Sequence, residues 1–190
     1  MSVSAPDPTP RHRGPICLAV GRLELQFHWR ADRWAHQLFR DGVACWQSVE
    51  NLPDLPISSS LGITVNWPAS PVFTEVSLVE TASGPALLAV GRAGRSHFSA
   101  SLAAAPDSSD TIVAELACRL HEPPGWLGST YQPLPPDGPA APSAGWLAVR
   151  PTCPADLQLP ATICWAYHLT PVGIRALPPA SCGPLLFRSN

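Results

Sequence analysis

Lysine is absent from this chain of 190 residues, in which all 12 basic residues are arginine. Without lysine the chain cannot form a lysine Schiff base, hold phosphates with a P-loop lysine, or use a lysine general base. Charge is scarce too, because 14% of the residues are charged and the formal net charge is −2, against roughly 25% charged residues in an ordinary soluble domain. Because no basic surplus is present, we expect neither nucleic acid nor a membrane surface as a partner.

Long apolar runs and closely spaced cysteine pairs are missing as well. No stretch reaches the roughly 20 apolar residues of a membrane-spanning helix, and the beginning of the chain, MSVSAPDPTPRHRGP, lacks the apolar core of a secretory signal. These absences predict a cytoplasmic protein whose six cysteines are free and mostly buried. Since no C-x-x-C motif occurs, the sequence predicts no metal site and no cofactor.

Proline and glycine are abundant, at 24 and 13 residues, and no segment has the periodicity of a convincing helix. Apolar residues alternate with polar ones instead, which is typical of half-buried strands. We therefore predict an all-β fold, an antiparallel β-sandwich of roughly 7–10 short strands, with a closed or partly open up-and-down β-barrel as the alternative. Residues 1–14 are predicted to be a disordered tail, and residues 15–185 a single domain with an irregular Pro-rich segment at 123–145.

The stretch FHWRADRWAH, residues 27–36, predicts a hairpin. If residues 30–33 form the turn, Trp29 lies opposite Trp34 and Phe27 lies opposite His36. These four side chains then share one face, which places the aromatic cluster in the core. His28 falls on the other face, so the two histidines cannot bind one metal ion.

A second turn extends this hairpin into a three-stranded meander over residues 22–50. Asp41-Gly42 predicts a type I′ turn, because both positions of that turn need a positive φ. Continuing the register past this turn pairs Leu38 with Cys45 and His36 with Gln47. His36 is then a buried imidazole that pairs with Gln47 or a carbonyl, and only secondarily a candidate for ligand binding.

The same register places a pair of aromatic side chains on the outer face of the meander, where a second layer covers them or they form an exposed docking patch. Trp46 falls on that face, near Phe39. An exposed pair of aromatic side chains is suited to docking a partner or to stacking against a sugar. Trp46 and Phe39 are therefore candidate ligand-binding residues.

A pair of histidines farther along the chain gives the candidate catalytic residues. Alternation in RSHFSASL and TIVAELACRLH turns His97, Arg119 and His121 away from the core. If these two strands pair, the three side chains lie on one outward face, with Arg95 and Glu115 nearby. Such a group can bind an anion or transfer protons.

Three functional hypotheses follow. The leading one is a non-enzymatic β-domain for protein–protein or ligand binding, whose partner is another protein or a second copy of the chain. The first alternative is a small-molecule-binding β-barrel with a cavity lined by Trp29, Trp34 and His36. The second alternative is a hydrolase or lyase that uses His97 and His121. We favour binding over catalysis because no specific catalytic motif is present.

Overall fold

The computed structural model describes residues 14–51, 67–135, 145–154 and 156–178, which form β-strands and no helix. The first six strands are β1 Ile16–Val20, β2 Leu23–Arg30, β3 Arg33–Arg40, β4 Val43–Ser48, β5 Glu75–Thr81 and β6 Gly84–Ala93. The others are β7 Ser96–Ala105, β8 Ser108–Leu120, β9 Ser129–Pro133, β10 Leu147–Val149, β11 Ala161–Thr170 and β12 Gly173–Ala176. The described ranges hold no helix long and apolar enough to cross a bilayer.

The strands form two separate antiparallel sheets that pack face to face. The first sheet has the order β1-β2-β3-β4-β9-β10, and the second has the order β12-β11-β8-β7-β6-β5. The predicted all-β sandwich is confirmed, and the alternative of a closed barrel is wrong because each sheet keeps two edge strands. Strand β9 lies inside the segment 123–145 that was predicted to be irregular. The predicted tail falls almost wholly outside the described residues.

The core lies between the inner faces of the sheets, where the predicted alternation is confirmed. The second sheet buries the inward residues that the sequence indicated, among them Phe98, Leu102, Ile112, Leu116, Leu120, Trp165 and Leu169. The first sheet contributes Leu18, Leu23, Leu25, Phe27, Trp34 and Leu38. Burial of each large apolar side chain stabilises the fold by about 1.5–3 kcal/mol before entropy is subtracted. The face with Trp34 therefore packs in the core, and the hypothesis of a barrel cavity lined by aromatic residues is wrong.

The register of the first hairpin is confirmed, and that of the next is wrong. Trp29 pairs with Trp34 and Phe27 pairs with His36, as predicted. Asp41 and Gly42 have φ values of 50° and 80°, as the type I′ turn requires.

A β-bulge then shifts the register between Leu38 and Phe39, so that Leu38 pairs with Trp46 and not with Cys45. Because side chains alternate between faces, this single extra residue reverses the face of every residue after it. Trp46 consequently points inward and is 8% exposed, while Phe39 is half-buried. The predicted exposed pair of aromatic residues does not form.

A short crossing segment joins the sheets. Phe73 accepts a hydrogen bond from the backbone nitrogen of Trp34 at 2.8 Å, and Thr74 donates one to the carbonyl of Val90 at 2.9 Å. Gly91 lies beneath this segment, where an added Cβ would come within 2.1 Å of the carbonyl oxygen of Val72. The absence of a side chain at Gly91 therefore lets the crossing segment lie against the second sheet.

The cysteines differ from the expectation of free and mostly buried thiols. Cys17, Cys45, Cys118 and Cys153 are free, but of these only Cys118 is fully buried. Cys164 is disulfide-bonded. The expectation that all the thiols are free is therefore wrong.

Candidate binding sites on the two sheets

A row of polar side chains crosses the outer face of the second sheet. Arg92 pairs with His97, His97 pairs with Arg119, and Arg119 pairs with Thr162. The four residues thus occupy one position on four neighbouring strands. Phe98 follows His97 on β7, and Cys118 precedes Arg119 on β8. Both are buried, so His97 and Arg119 point away from the core. We call Arg92, His97 and Arg119 the cationic row.

This register brings the predicted histidine pair together. The rings of His97 and His121 contact each other edge to face, with centroids 6.1 Å apart. The Arg119 guanidinium donates a hydrogen bond to the Thr162 hydroxyl at 3.3 Å. The predicted outward face is confirmed for His97 and Arg119, which are exposed, whereas His121 is half-buried. Arg92 was not predicted, because its place in the row depends on the pairing of β6 with β7.

The cationic row lies in an open groove of about 580 Å³, which we call the outer groove. The next row along the strands, Val90, Ser99 and Ala117, provides a floor of small and apolar side chains. The other lining residues are Thr74, Gly91, Phe98 and Thr162. None of the lining residues that the structure describes is acidic, so Arg92 and Arg119 give this part of the groove a positive charge.

A second cavity lies at one end of the first sheet. It has a volume of about 300 Å³ and we call it the turn pocket. The turn between β2 and β3 forms one wall, and the end of β4 with Gln132 of β9 forms the other. The hairpin of residues 27–36 therefore contributes its turn to a cavity, while its aromatic side chains pack in the core.

Glu50 is the most unusual residue of the turn pocket. Its Oε1 accepts a hydrogen bond from the Ser48 hydroxyl at 2.5 Å, and the Ser48 oxygen in turn accepts one from the backbone nitrogen of His36 at 2.9 Å. Its Oε2 is buried and has no hydrogen-bond partner among the described residues. Burial raises the pKa of Glu50 to about 7, although the Ser48 hydrogen bond and nearby arginines oppose the shift. The carboxyl group is therefore partly protonated at neutral pH.

The turn of the hairpin places two arginines near this carboxyl group. Arg33 donates two hydrogen bonds to the adjacent Asp32, at 2.8 and 3.0 Å, so its charge already has an acidic partner. Arg30 is exposed and has no ion pair within the described part of the chain. Between them, Ala31 adopts a φ of 52°, a left-handed conformation that costs a residue with a Cβ about 1 kcal/mol or more.

A buried polar chain connects the two sheets close to Glu50. The Nε2 of His36 lies 2.8 Å from the Tyr131 hydroxyl, which lies 2.7 Å from the Tyr167 hydroxyl. His36 is 5% exposed, which confirms the predicted burial, but its partner is Tyr131 and not Gln47. Burial lowers the pKa of His36 to about 3, so the imidazole is neutral at pH 7. Neither the outer groove nor the turn pocket includes His36 in its lining.

Trp46 also connects the two sheets. Its indole nitrogen donates hydrogen bonds to the carbonyls of Thr170 and Pro171, at 3.1 and 3.2 Å, in the turn after β11. A buried indole normally finds such a partner. These contacts make Trp46 part of the core. The exposed pair of Trp46 and Phe39, on which its predicted binding role depended, is therefore absent.

Glu50 and Arg92 were not predicted from the sequence. Glu50 ends a strand-like run, and nothing in that run signals its burial, because its surroundings come from distant segments: Val49 donates a backbone hydrogen bond to Thr130, and Ala69 donates one to Glu50. Among the described residues, no three or more His, Cys, Asp or Glu side chains are grouped so that they would hold a metal ion. Comparison of the chain with models of protein families, with curated proteins and with solved structures found no match.

Proposed function

We propose that the chain is a non-enzymatic binding domain whose outer groove docks an acidic segment of a partner protein. The observation that carries this proposal is the cationic row, which lies in a groove whose lining includes no carboxylate. Arg92 and Arg119 have no ion pair among the residues described. An acidic group of a partner provides the charge that the chain itself does not bring to this groove.

The spacing of the row suits a single carboxylate. Neighbouring strands lie about 4.8 Å apart, so the backbones of Arg92 and Arg119 are roughly 10 Å apart, with His97 between them. Two guanidinium groups can therefore reach the same carboxylate from opposite sides, above the imidazole. Charge-assisted hydrogen bonds of this kind are about twice as strong as neutral ones.

The shape of the surface favours a protein segment over a small molecule. Small-molecule sites usually enclose about 70–90% of their ligand, whereas the outer groove is open to solvent along the sheet. Val90 on the groove floor is 46% exposed, and Leu88, the next outward residue of β6, continues the apolar surface beyond the groove with an exposure of 36%. On the neighbouring strand β7, Ser99 pairs with Val90 and Ser101 pairs with Leu88. The small side chains of these serines let a partner approach closely. Arginine beside apolar residues is typical of protein interfaces.

A parallel selection of displayed random peptides tests this proposal. The wild-type chain and the R92Q/R119Q double variant are used as baits, with R175Q as the matched control. Arg175 is also an exposed arginine of the second sheet, on β12, but does not line the groove. We expect the wild type and R175Q to enrich peptides with Asp or Glu next to apolar residues. The synthesised peptides should bind the double variant at least about tenfold more weakly.

The other outcomes of the selection are equally defined. Enrichment without acidic residues, or equal binding to the double variant, contradicts the proposal. Displacement of the peptide by millimolar phosphate together with full occupancy by phosphate alone identifies a small anion as the occupant. Concentration-dependent dimerisation that R92Q/R119Q abolishes identifies a second copy of the chain.

The contact between two imidazoles favours a second candidate, a hydrolase or lyase in which His97 and His121 transfer protons. The ring centroids are 6.1 Å apart, within reach of one bound substrate. A panel of nitrophenyl esters and phosphates tests this hypothesis. Turnover that H121A abolishes without a change in thermal midpoint supports it, and turnover equal to that of buffer removes it for these substrates.

A further inference from the structure

The turn pocket, at one end of the first sheet, is lined by polar and charged residues. We propose that this pocket binds a small free α-amino acid, whose ammonium group pairs with Glu50 and whose carboxylate pairs with Arg30. This proposal does not depend on the outer groove, which lies on the other sheet.

Glu50 requires a hydrogen-bond donor that the described part of the chain does not provide. One carboxylate oxygen is held by Ser48, and the other, Oε2, is buried without a partner. An unsatisfied buried acceptor costs about 1–3 kcal/mol, and more if it is charged. Because Glu50 lines the pocket, a ligand whose donor reaches its carboxyl group recovers this cost on binding. An ammonium group adds charge attraction to the hydrogen bond.

The turn of the hairpin provides the positive charge of the pocket. Arg33 already forms an ion pair with Asp32 through two hydrogen bonds. Arg30 has no ion pair within the described ranges and lines the same pocket. Both arginines are close enough to Glu50 to stabilise its charged form. Among the described residues the pocket therefore presents one carboxylate oxygen without a donor and one guanidinium without an ion pair, and a zwitterion pairs with both groups at once.

Size and lining restrict the ligand further. The volume of about 300 Å³ lies at the lower end of the range for small-molecule sites. The side-chain amides of Gln47, Asn51 and Gln132 line the rest of the wall and both donate and accept hydrogen bonds. A small polar amino acid fits this lining, and a large apolar ligand does not.

Binding of an ammonium group is expected to depend on pH. The charged and titratable groups around Glu50 are Arg30, Asp32, Arg33 and Tyr131. Burial raises the pKa of Tyr131 well above 10, so this phenol stays neutral. Glu50 alone among them changes charge near pH 7. Since the ammonium pairs with the carboxylate form, affinity should rise as the pH rises through about 7.

Calorimetric titration of the full chain tests the proposal. The probes are glycine, alanine, serine, asparagine and glutamine, each also as its N-acetyl and carboxamide derivative. We expect at least one free amino acid to bind, and N-acetylation to weaken it at least about tenfold. E50Q should cause a similar loss, whereas E80Q, which changes an exposed glutamate of β5 outside both cavities, should cause none.

Arg30 provides the second and independent arm of the experiment. It is exposed, so R30Q is expected to fold even if E50Q does not. R30Q should weaken the free amino acid but leave the carboxamide derivative unaffected, because the lost partner is the ligand carboxylate. The proposal is overturned if no probe binds at about 10 mM, if the N-acetyl derivative binds as well as the free amino acid, or if R30Q weakens both ligand forms equally.

Discussion

Replacement of Tyr131 by phenylalanine tests whether the buried polar chain holds the two sheets together. The Tyr131 hydroxyl lies between the imidazole of His36, at 2.8 Å, and the hydroxyl of Tyr167, at 2.7 Å. All three residues are buried, and the ring of phenylalanine occupies the same volume. The substitution therefore removes hydrogen bonds without leaving a large cavity.

The magnitude follows from the groups that lose a partner. The Nε2 of His36 loses its hydrogen bond, and its Nδ1 already has none among the described residues. The Tyr167 hydroxyl loses its partner at the same time, with Ser129 close to it. A lost hydrogen bond costs about 0.5–1.5 kcal/mol and an unsatisfied buried group about 1–3 kcal/mol, so Y131F should lower the free energy of unfolding by about 2–4 kcal/mol. The thermal midpoint should fall by on the order of 10 °C.

Urea denaturation at pH 7, followed by tryptophan fluorescence, measures this change. Y167F and the Y131F/Y167F double variant complete a double-mutant cycle. Because the bond between the two hydroxyls is lost only once, the double variant should cost less than the sum of the two single variants. If Y131F changes the free energy of unfolding by less than about 0.5 kcal/mol, or if the two substitutions are strictly additive, the hydrogen bonds between His36, Tyr131 and Tyr167 do not stabilise the packing of the sheets.

Two further predictions concern the crossing segment and Glu50. G91A should destabilise the fold by about 2 kcal/mol or more, because a Cβ there meets the backbone of Val72. G173A, with no atom within 4 Å of the added Cβ, should be tolerated, and equal thermal midpoints for the two variants would contradict this prediction. The folded-state pKa of Glu50 is about 7, against 4.5 for the free group. This raised pKa stabilises the fold below pH 4.5, and the stabilisation is lost as the pH rises through about 7, a decrease of up to about 3 kcal/mol. Urea titrations between pH 5 and 8 should show this decrease in the wild type but not in E50Q.

Local signals in the sequence predicted two features of the meander, namely its first hairpin and the turn that follows. The residues of the first hairpin alternate regularly, and Asp41-Gly42 specifies the next turn, so both features could be inferred without coordinates. The β-bulge after that turn has no such signal. Because one added residue reverses the faces, the prediction placed Trp46 outside when the structure places it in the core.

The two candidate sites differ in how far they could be inferred. His97, Arg119 and His121 lie on strands with clear alternation, so their common face followed once the strands were assumed to pair. Arg92 joins them only through the register of β6. Glu50 depends on contacts distant in sequence, since its neighbourhood is formed by the turn of another hairpin and by β9. The alternation of residues along one strand does not predict contacts with residues distant in the sequence.

The scarcity of charge in this chain makes the position of each charge informative. Several arginines form exposed ion pairs at turns, such as Arg22 with Asp41, and solvent screening makes pairs of this kind contribute little to stability. The cationic row differs from them, because Arg92 and Arg119 lie on nearby strands of one face without an acidic partner in the groove. Charges of the same sign on a sheet face repel each other and lower stability. Folding therefore gives no reason for this arrangement, which supports the proposal that the groove recognises an acidic group. The same reasoning applies to Glu50, whose unsatisfied oxygen destabilises the fold and so supports the proposal that a ligand donor occupies the turn pocket.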